Sequence, residues 1–242
     1  MNQLRAAISF LTILPAGKSA AFDPDAMVPL FPVVGLIIGV LLAVFDNLVM
    51  RIWPNPVGAV LDVIFLVVIT GAFHLDGLGD TADGILSHRS RERALEIMKD
   101  SRLGTMGLAA IVCVLATKWG GLATFGHHRF IALIIIPAYA RASVIFGIRY
   151  LKYGRPDGGT GTDFFKSPLP FLSFIWILLP VFLSFFLGMK CLFINAVFLG
   201  MVTGMILFYK HQMNCITGDM LGAMVEVTET ALFLTMAVGG NF

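Results

Sequence analysis

The sequence predicts an all-α fold, a polytopic membrane helical bundle of about seven transmembrane helices with an amphipathic cytoplasmic segment. Three observations predict it. Of the 242 residues, 57% are hydrophobic and only 13% are charged, against about 45–50% and about 25% in an ordinary soluble domain. Mean hydropathy is +0.87. Seven apolar windows fill most of the chain, each near the roughly 20 residues that one helical span requires. Together these exclude a soluble globular enzyme, a disordered chain and a basic nucleic-acid binder, and the net charge of +2 is too small to define an electrostatic partner. A single integral-membrane domain over 1–242 accounts for the whole length.

Arg5, the apolar run Ala6 to Leu14 and the terminating Pro15 come first. A single early charge fits a short interfacial or half-inserted helix that stays better than a cleaved signal peptide. The windows are 27–50, 57–73, 103–125, 130–151, 170–188, 191–209 and 218–238. The last is the weakest because it holds Glu226 and Glu229. Cys113, Cys191 and Cys215 are widely spaced, with no CxxC pair, and read as small hydrophobes.

Basic residues set the orientation, since cytoplasmic loops carry an excess of Lys and Arg. With the N-terminus inside, twelve of the 17 fall inside: Arg5, Lys18, Arg89, Arg91, Arg93, Lys99, Arg102, Arg149, Lys152, Arg155, Lys166 and Lys210. Arg51, Arg129 and Lys190 fall outside, while Lys118 and Arg141 sit within spans. An odd number of spans then puts the C-terminus outside. Most acids gather on the same inner face, including Asp76, Asp80, Asp83, Asp157, Asp163 and Asp219, whereas Asp62 lies within a span as a structural polar contact.

The densest polar feature is Phe73-His74-Leu75-Asp76-Gly77-Leu78-Gly79-Asp80-Thr81-Ala82-Asp83-Gly84. Its aspartates stand at i, i+4 and i+7, on one helical face. Over seven residues a helix rises roughly 10 Å, so two adjacent metals, or one metal and a general base, fit better than one ion held by all three. Like charges stacked at a membrane boundary are unfavourable without a cation. Hard oxygen ligands favour Mg²⁺ or Mn²⁺ over zinc. The plain alternative is a solvated acidic helix end, but Gly77, Gly79 and Gly84 need a reason inside a helix, namely close approach of a bulky ligand or of another helix. Asp219-Met220-Leu221-Gly222 echoes Asp76-Gly77-Leu78-Gly79, and each is followed seven residues after its Asp by another acid, Glu226 and Asp83. Asp219 and Glu226 thus share a face, with Glu229 turned about 80° away, and the two motifs are expected to build one metal site.

Around these acids lies a supply of cations. The run 88–102, HRSRERALEIMKDSR, reads as an amphipathic helix on the membrane with Leu95 and Met98 on its apolar stripe. It serves either to hold its loop inside or to bind phosphate through Lys99 and Arg102. Arg141 in mid-span must face a partner, Asp62 or Glu226, or a substrate phosphate. The glycine-rich stretch 155–163 matches no phosphate-loop fingerprint and reads as a flexible loop. A carboxylate cluster flanked by arginines at the membrane surface fits metal-assisted phosphoryl transfer. A cation-coupled transporter is the rival from another class, although its acids are expected near the midplane. A purely structural subunit leaves the stacked aspartates unexplained.

The run 71–84 resembles the signature of the cobalamin synthase (adenosylcobinamide-GDP ribazoletransferase) family, and the resemblance continues through Arg91–Thr105. Ser9-Phe10-Leu11-Thr12-Ile13-Leu14-Pro15, Phe31-Pro32-Val33-Val34-Gly35 and Thr217-Gly218-Asp219-Met220-Leu221-Gly222-Ala223 extend it, while the stretch 119–208 matches in character only. The family often has a basic residue where this chain has Ile13. The resemblance implies the last assembly step of the coenzyme B12 nucleotide loop: GDP-activated cobinamide is joined to α-ribazole or its 5′-phosphate with loss of GMP, and Mg²⁺ is the cofactor. Within that chemistry the spacing, and not the resemblance, suggests Asp76, Asp80 and Asp83 as metal ligands on the diphosphate, one of them a base, with His74 a second base candidate. Asp219 and Glu226 are expected to complete the metal site or to contact substrate, and Lys99, Arg102, Arg141, Gly77 and Gly79 are the substrate-binding candidates. The expected partners are corrinoid and nucleoside substrates and the lipid bilayer, with no nucleic acid; self-association is left open. The expected location is the cytoplasmic (inner) membrane, multi-pass, with the active site facing the cytoplasm. CDP-alcohol phosphotransferases acting on lipid use similar aspartates, but their Asp-Gly-x-x-Ala-Arg continuation is replaced here by Asp83-Gly84-Ile85-Leu86-Ser87-His88.

Overall fold

A computed structural model describes residues 2–17, 23–155, 158 and 161–239. Readings that fall on Lys18, Pro156, Asp157, Gly159 and Thr160 lie outside the described residues. The helices are α1 (Asn2–Leu11), α2 (Pro24–Met27), α3 (Phe31–Val49), α4 (Asn55–Ile69), α5 (Phe73–Ile85), α6 (Arg91–Ile97), α7 (Thr105–Ala123), α8 (Arg129–Tyr150), α9 (Leu178–Ser184), α10 (Lys190–Gln212) and α11 (Gly218–Ala237). Tight 3₁₀ turns flank α9 as Phe171–Ile177 and Phe185–Leu187.

The bundle is built around α8, the most enclosed of the long apolar helices. Alanines and branched aliphatics make it apolar around most of its circumference, as a central helix should be, with Arg141 as a buried exception. Its partner α3 brings Gly35 and Gly39 against it. A Cβ on Gly35 would lie 2.4 Å from the Pro137 carbonyl oxygen, and one on Gly39 would lie 2.1 Å from that of Ile134. The two backbones therefore touch, which is how helices associate when lipid supplies no hydrophobic drive. α11 packs between α8, α7 and α5, and α10 covers its outer side. On α4 the exposed residues Val57, Val60, Ile64 and Val68 form one outward stripe, the face left to hydrocarbon.

Apart from a buried ion network in the interior, many polar contacts sort into two ends. At one, Asn55 Nδ2 donates to the Ala123 carbonyl at 2.7 Å, Arg129 meets Asp46 at 2.8 Å and Asp62 at 2.6 Å, and Lys190 Nζ donates to the Met236 carbonyl at 2.9 Å. At the other, Ile13 N donates to the Ile69 carbonyl, while Gly154 N donates to Ile216 and Ile216 N donates back to Lys152, each at 2.9 Å. Among the described residues the chain runs between these ends seven times, as α3, α4, α7, α8, the piece Phe171–Leu187, α10 and α11. Five helices are long and apolar enough to span a bilayer, six if the bent α4–α5 pair is counted as one span. The window 170–188 is the departure from seven like spans. Its 17-residue apolar piece Phe171–Leu187 falls short of the usual span length. Ten of its residues are wound as 3₁₀ turns, which rise about 2.0 Å per residue against 1.5 Å in an α-helix, so it reaches about 30 Å all the same. The protein is a multi-pass membrane protein.

Between α4 and α5 the direction changes by 89°. Gly71 and Ala72 make the turn, both at φ 58° in the left-handed region. Glycine enters that region freely, whereas alanine does so only when its surroundings hold it there. The turn lays α5 across the end of the bundle and aims its carboxylates away from the core.

Candidate active site at one end of the bundle

Two helices bring the acids together. A Cβ on Gly77 would lie 2.7 Å from the Asp219 carbonyl oxygen, and one on Gly222 would lie 3.3 Å from the His74 backbone. The Asp-x-Leu-Gly echo thus marks a contact between α5 and α11, each presenting a glycine where the other's backbone passes. Gly79 takes the side chains of Leu103 and Ile111, and Gly84 takes Met98. Of the two reasons for these glycines, close approach of another helix is the one realised. Gly77 and Gly79, candidates for substrate binding, are occupied by protein neighbours.

Asp76 is exposed and Asp80 half-buried. The charges acting on Asp80 are those of Asp219, Asp76 and Asp83, opposed by Arg155. The Arg155 guanidinium pairs with the Asp219 carboxylate through Nη2, which also donates to the Met98 carbonyl at 3.1 Å. Arg155 thereby ties the loop after α8 to α6 and to the acids. Sequence reasoning counted it among the inner basic residues without weighing it singly; its position at the head of the glycine-rich loop was the available signal.

Asp83 is engaged differently. Its two oxygens accept from Gly104 N at 2.7 Å and Gly107 N at 2.8 Å. These are unpaired amides at the start of α7, so Asp83 caps that helix from α5. His74 is buried, and its Nδ1 has no hydrogen-bond partner among the described residues.

The deeper acids lie elsewhere. Lys118 Nζ sits 2.6 Å from both Glu226 and Glu229, and Arg141 pairs with the other oxygen of Glu229. All four side chains are buried. Two turns below Asp219, Glu226 is therefore committed to an interior ion network rather than to the Asp76–Asp80 group. Arg141 meets Glu229 rather than Asp62, Glu226 or an open cavity. Removing either charge from solvent is unfavourable unless the other balances it, which explains why the four occur as a neutral set. Asp62 is paired as a structural contact, with Arg129.

The expected helix on 88–102 is α6, shorter than the run, with its N-terminus capped by Ser90 Oγ accepting from Arg93 N. Lys99 is exposed beyond it. Arg102 is exposed and turned back on Asp100 at 2.5–2.9 Å, and that guanidinium holds the Asp100 carboxyl down to about 2. Among the described residues no three His, Cys, Asp or Glu converge as a ready-made metal cage. The donor set nevertheless suits Mg²⁺, which keeps several waters and binds through one or two carboxylates together with substrate phosphates.

Fold and site define a polytopic helical membrane protein with a carboxylate group at one end of the bundle, built where a re-directed helix crosses the start of the last span. The family model described as cobalamin-5-phosphate synthase matches residues 3–237, and the chain belongs to that enzyme family. Among relatives named adenosylcobinamide-GDP ribazoletransferase, that of Alkaliphilus metalliredigens is 36% identical over all of this chain and 98% of its own length. That of Roseiflexus sp. (strain RS-1) is 34% identical over 96% of this chain and 88% of its own, and that of Geotalea daltonii 32% over 98% and 97%. No solved structure matches the chain.

Proposed function

We propose that this protein joins GDP-activated adenosylcobinamide to α-ribazole or its 5′-phosphate, releasing GMP, as the final nucleotide-loop step of coenzyme B12 synthesis. The observation that carries this reading is the meeting of Asp76 and Asp80 on α5 with Asp219 on α11 at one end of the bundle. An acceptor ribose hydroxyl attacks the phosphorus next to the cobinamide arm. The bond to the GMP oxygen breaks, and the hydroxyl proton leaves to a base.

Asp76, Asp80 and Asp219 would hold Mg²⁺. When bound, the ion neutralises the diphosphate and its developing charge. The remaining work belongs to the chain. Asp80, among three other carboxylates and half-screened from water, takes up the hydroxyl proton on a carboxylate oxygen. Arg155, released from Asp219, orients a phosphate oxygen through its guanidinium fork. Asp83 fixes α7 against α5 and keeps the group in register. The carboxylate end faces the cytoplasm of the inner membrane, since the basic run 88–102 belongs to it.

The test is turnover by detergent-purified protein supplied with activated corrinoid and α-ribazole. GMP release is expected with Mg²⁺ and is expected to stop reversibly in EDTA. Undiminished activity in EDTA would exclude the metal, and no GMP under either condition would exclude the reaction.

A further inference from the structure

We propose that the end of α8 holds an anionic phospholipid, with the headgroup phosphate on Arg149. Lys118, Arg129, Arg141 and Arg155 each meet a carboxylate. Arg149 meets none. No hydrogen bond or ion pair joins its guanidinium to another described residue. The side chain is half-buried. Its buried unpartnered atom is Nε, so Nη1 and Nη2 keep accessible surface. An arginine carries five N–H donors, and leaving them without acceptors away from water is unfavourable. The group therefore calls for an acceptor from outside the chain.

Aromatic rings hold that guanidinium in place. Its carbon stands 4.9 Å from the Phe171 ring centroid and 5.9 Å from that of Tyr150. Rings attract a cation through their faces, which leaves the in-plane N–H groups free. Phe146 packs edge-on against Phe174 at 4.9 Å, and Phe171 lies 6.5 Å from Phe174. α8 and the turn Phe171–Ile177 thus build the surface together. Phe171 and Leu172 are 71% exposed and Tyr150 55%, which suits acyl chains and the headgroup boundary better than water. The level agrees: α8 ends at Tyr150, and Lys152 and Gly154 bond with Ile216 at the carboxylate end of the bundle. The cation acting on Asp80 is Arg155, so this surface stands apart from the carboxylate group.

Charge selects the occupant. Lys152, three residues on, is exposed and also meets no acid among the described residues. Lys166, by contrast, is balanced by Asp163 at 2.6 Å. Two uncompensated cations at one level of the bilayer attract a net negative headgroup. A zwitterionic lipid brings its own cation to the same place and gains less. A soluble phosphate has no chains to lie on Phe171 and Leu172. A second copy of the chain would bring the same two cations and repel them.

Native mass spectrometry of the detergent-purified full chain tests this. The protein is offered equal amounts of phosphatidylglycerol and phosphatidylcholine with identical acyl chains. Wild-type protein is expected to retain phosphatidylglycerol over phosphatidylcholine by roughly tenfold. Arg149→Gln is expected to cut that preference about fivefold, the worth of one cation near an anionic surface, while phosphatidylcholine retention stays the same and shows that the fold is kept. Lys152→Gln, at an exposed position, is expected to lower the preference in the same direction. Arg51→Gln removes an exposed arginine from the opposite end, where it bonds Asn47, and is expected to change nothing. Glycerophosphate, a headgroup without chains, is expected not to compete. Equal retention of both lipids by wild-type protein overturns the proposal, as does a preference that survives both Arg149→Gln and Lys152→Gln. An equal loss in Arg51→Gln would reduce the effect to overall charge. Competition by glycerophosphate would give the surface to a free anion, and a lipid-free mass of two chains would give it to a second copy; either result overturns the proposal.

Discussion

Asp80 and Asp83 stand three residues apart, yet the structure gives them different tasks. Asp80→Asn should lower transfer by roughly 10²–10³-fold, the scale of removing one preorganised electrostatic contact, while the purified protein keeps its unfolding temperature. Asp83→Asn should do the reverse first. It weakens the acceptor of two α7 amides and should destabilise by about 1–2 kcal/mol, read as a lower midpoint in detergent. The i, i+4, i+7 spacing was legible in the sequence because it is a local property of one helix. The capping role was not, since its partners lie 21 and 24 residues onward and no periodicity connects them. The same holds for Glu226, whose cation is 108 residues away. Glu229→Gln should cost about 3–5 kcal/mol, because it leaves Lys118 and Arg141 with one buried carboxylate between them; thermal unfolding checks it.

At the scale of elements, the crossing of α5 and α11 carries the site. Its glycines were legible as a demand for close approach, and the four-residue echo correctly joined the two segments. What covered those glycines, helix or ligand, depended on tertiary placement. Gly77→Val should be destabilising by about 1–3 kcal/mol through overpacking, since its first carbon already meets the Asp219 backbone. It should also depress turnover beyond what the stability loss explains, because α5 and Asp219 are forced apart. Assays below the unfolding midpoint separate the two effects. The 89° turn had no sequence signal strong enough to read: Gly71 suggested a break, but Ala72 at positive φ is held by its surroundings rather than by its own preference.

For the whole molecule, composition and the asymmetry of basic residues were sufficient to predict a polytopic bundle with its charge gathered at one end. Seven crossings between the two ends put the C-terminal end of α11 opposite the carboxylates. A reporter fused after Phe242 should therefore report the side opposite to one inserted in the 88–102 run; equal signals at both sites would remove a crossing. Hydropathy windows were less able to foresee how the crossings are made, because they count residues and not winding. The stretch Phe171–Leu187 is the instructive case. Coiled wholly as α-helix, its 17 residues would measure about 25 Å, about 5 Å short of a typical hydrocarbon core. Its tighter turns supply the missing length by trading hydrogen-bond geometry for reach. Hydrophobic matching of this pass to the surrounding lipid is thus a matter of pitch, so bilayer thickness acts on its backbone geometry as well as on its tilt.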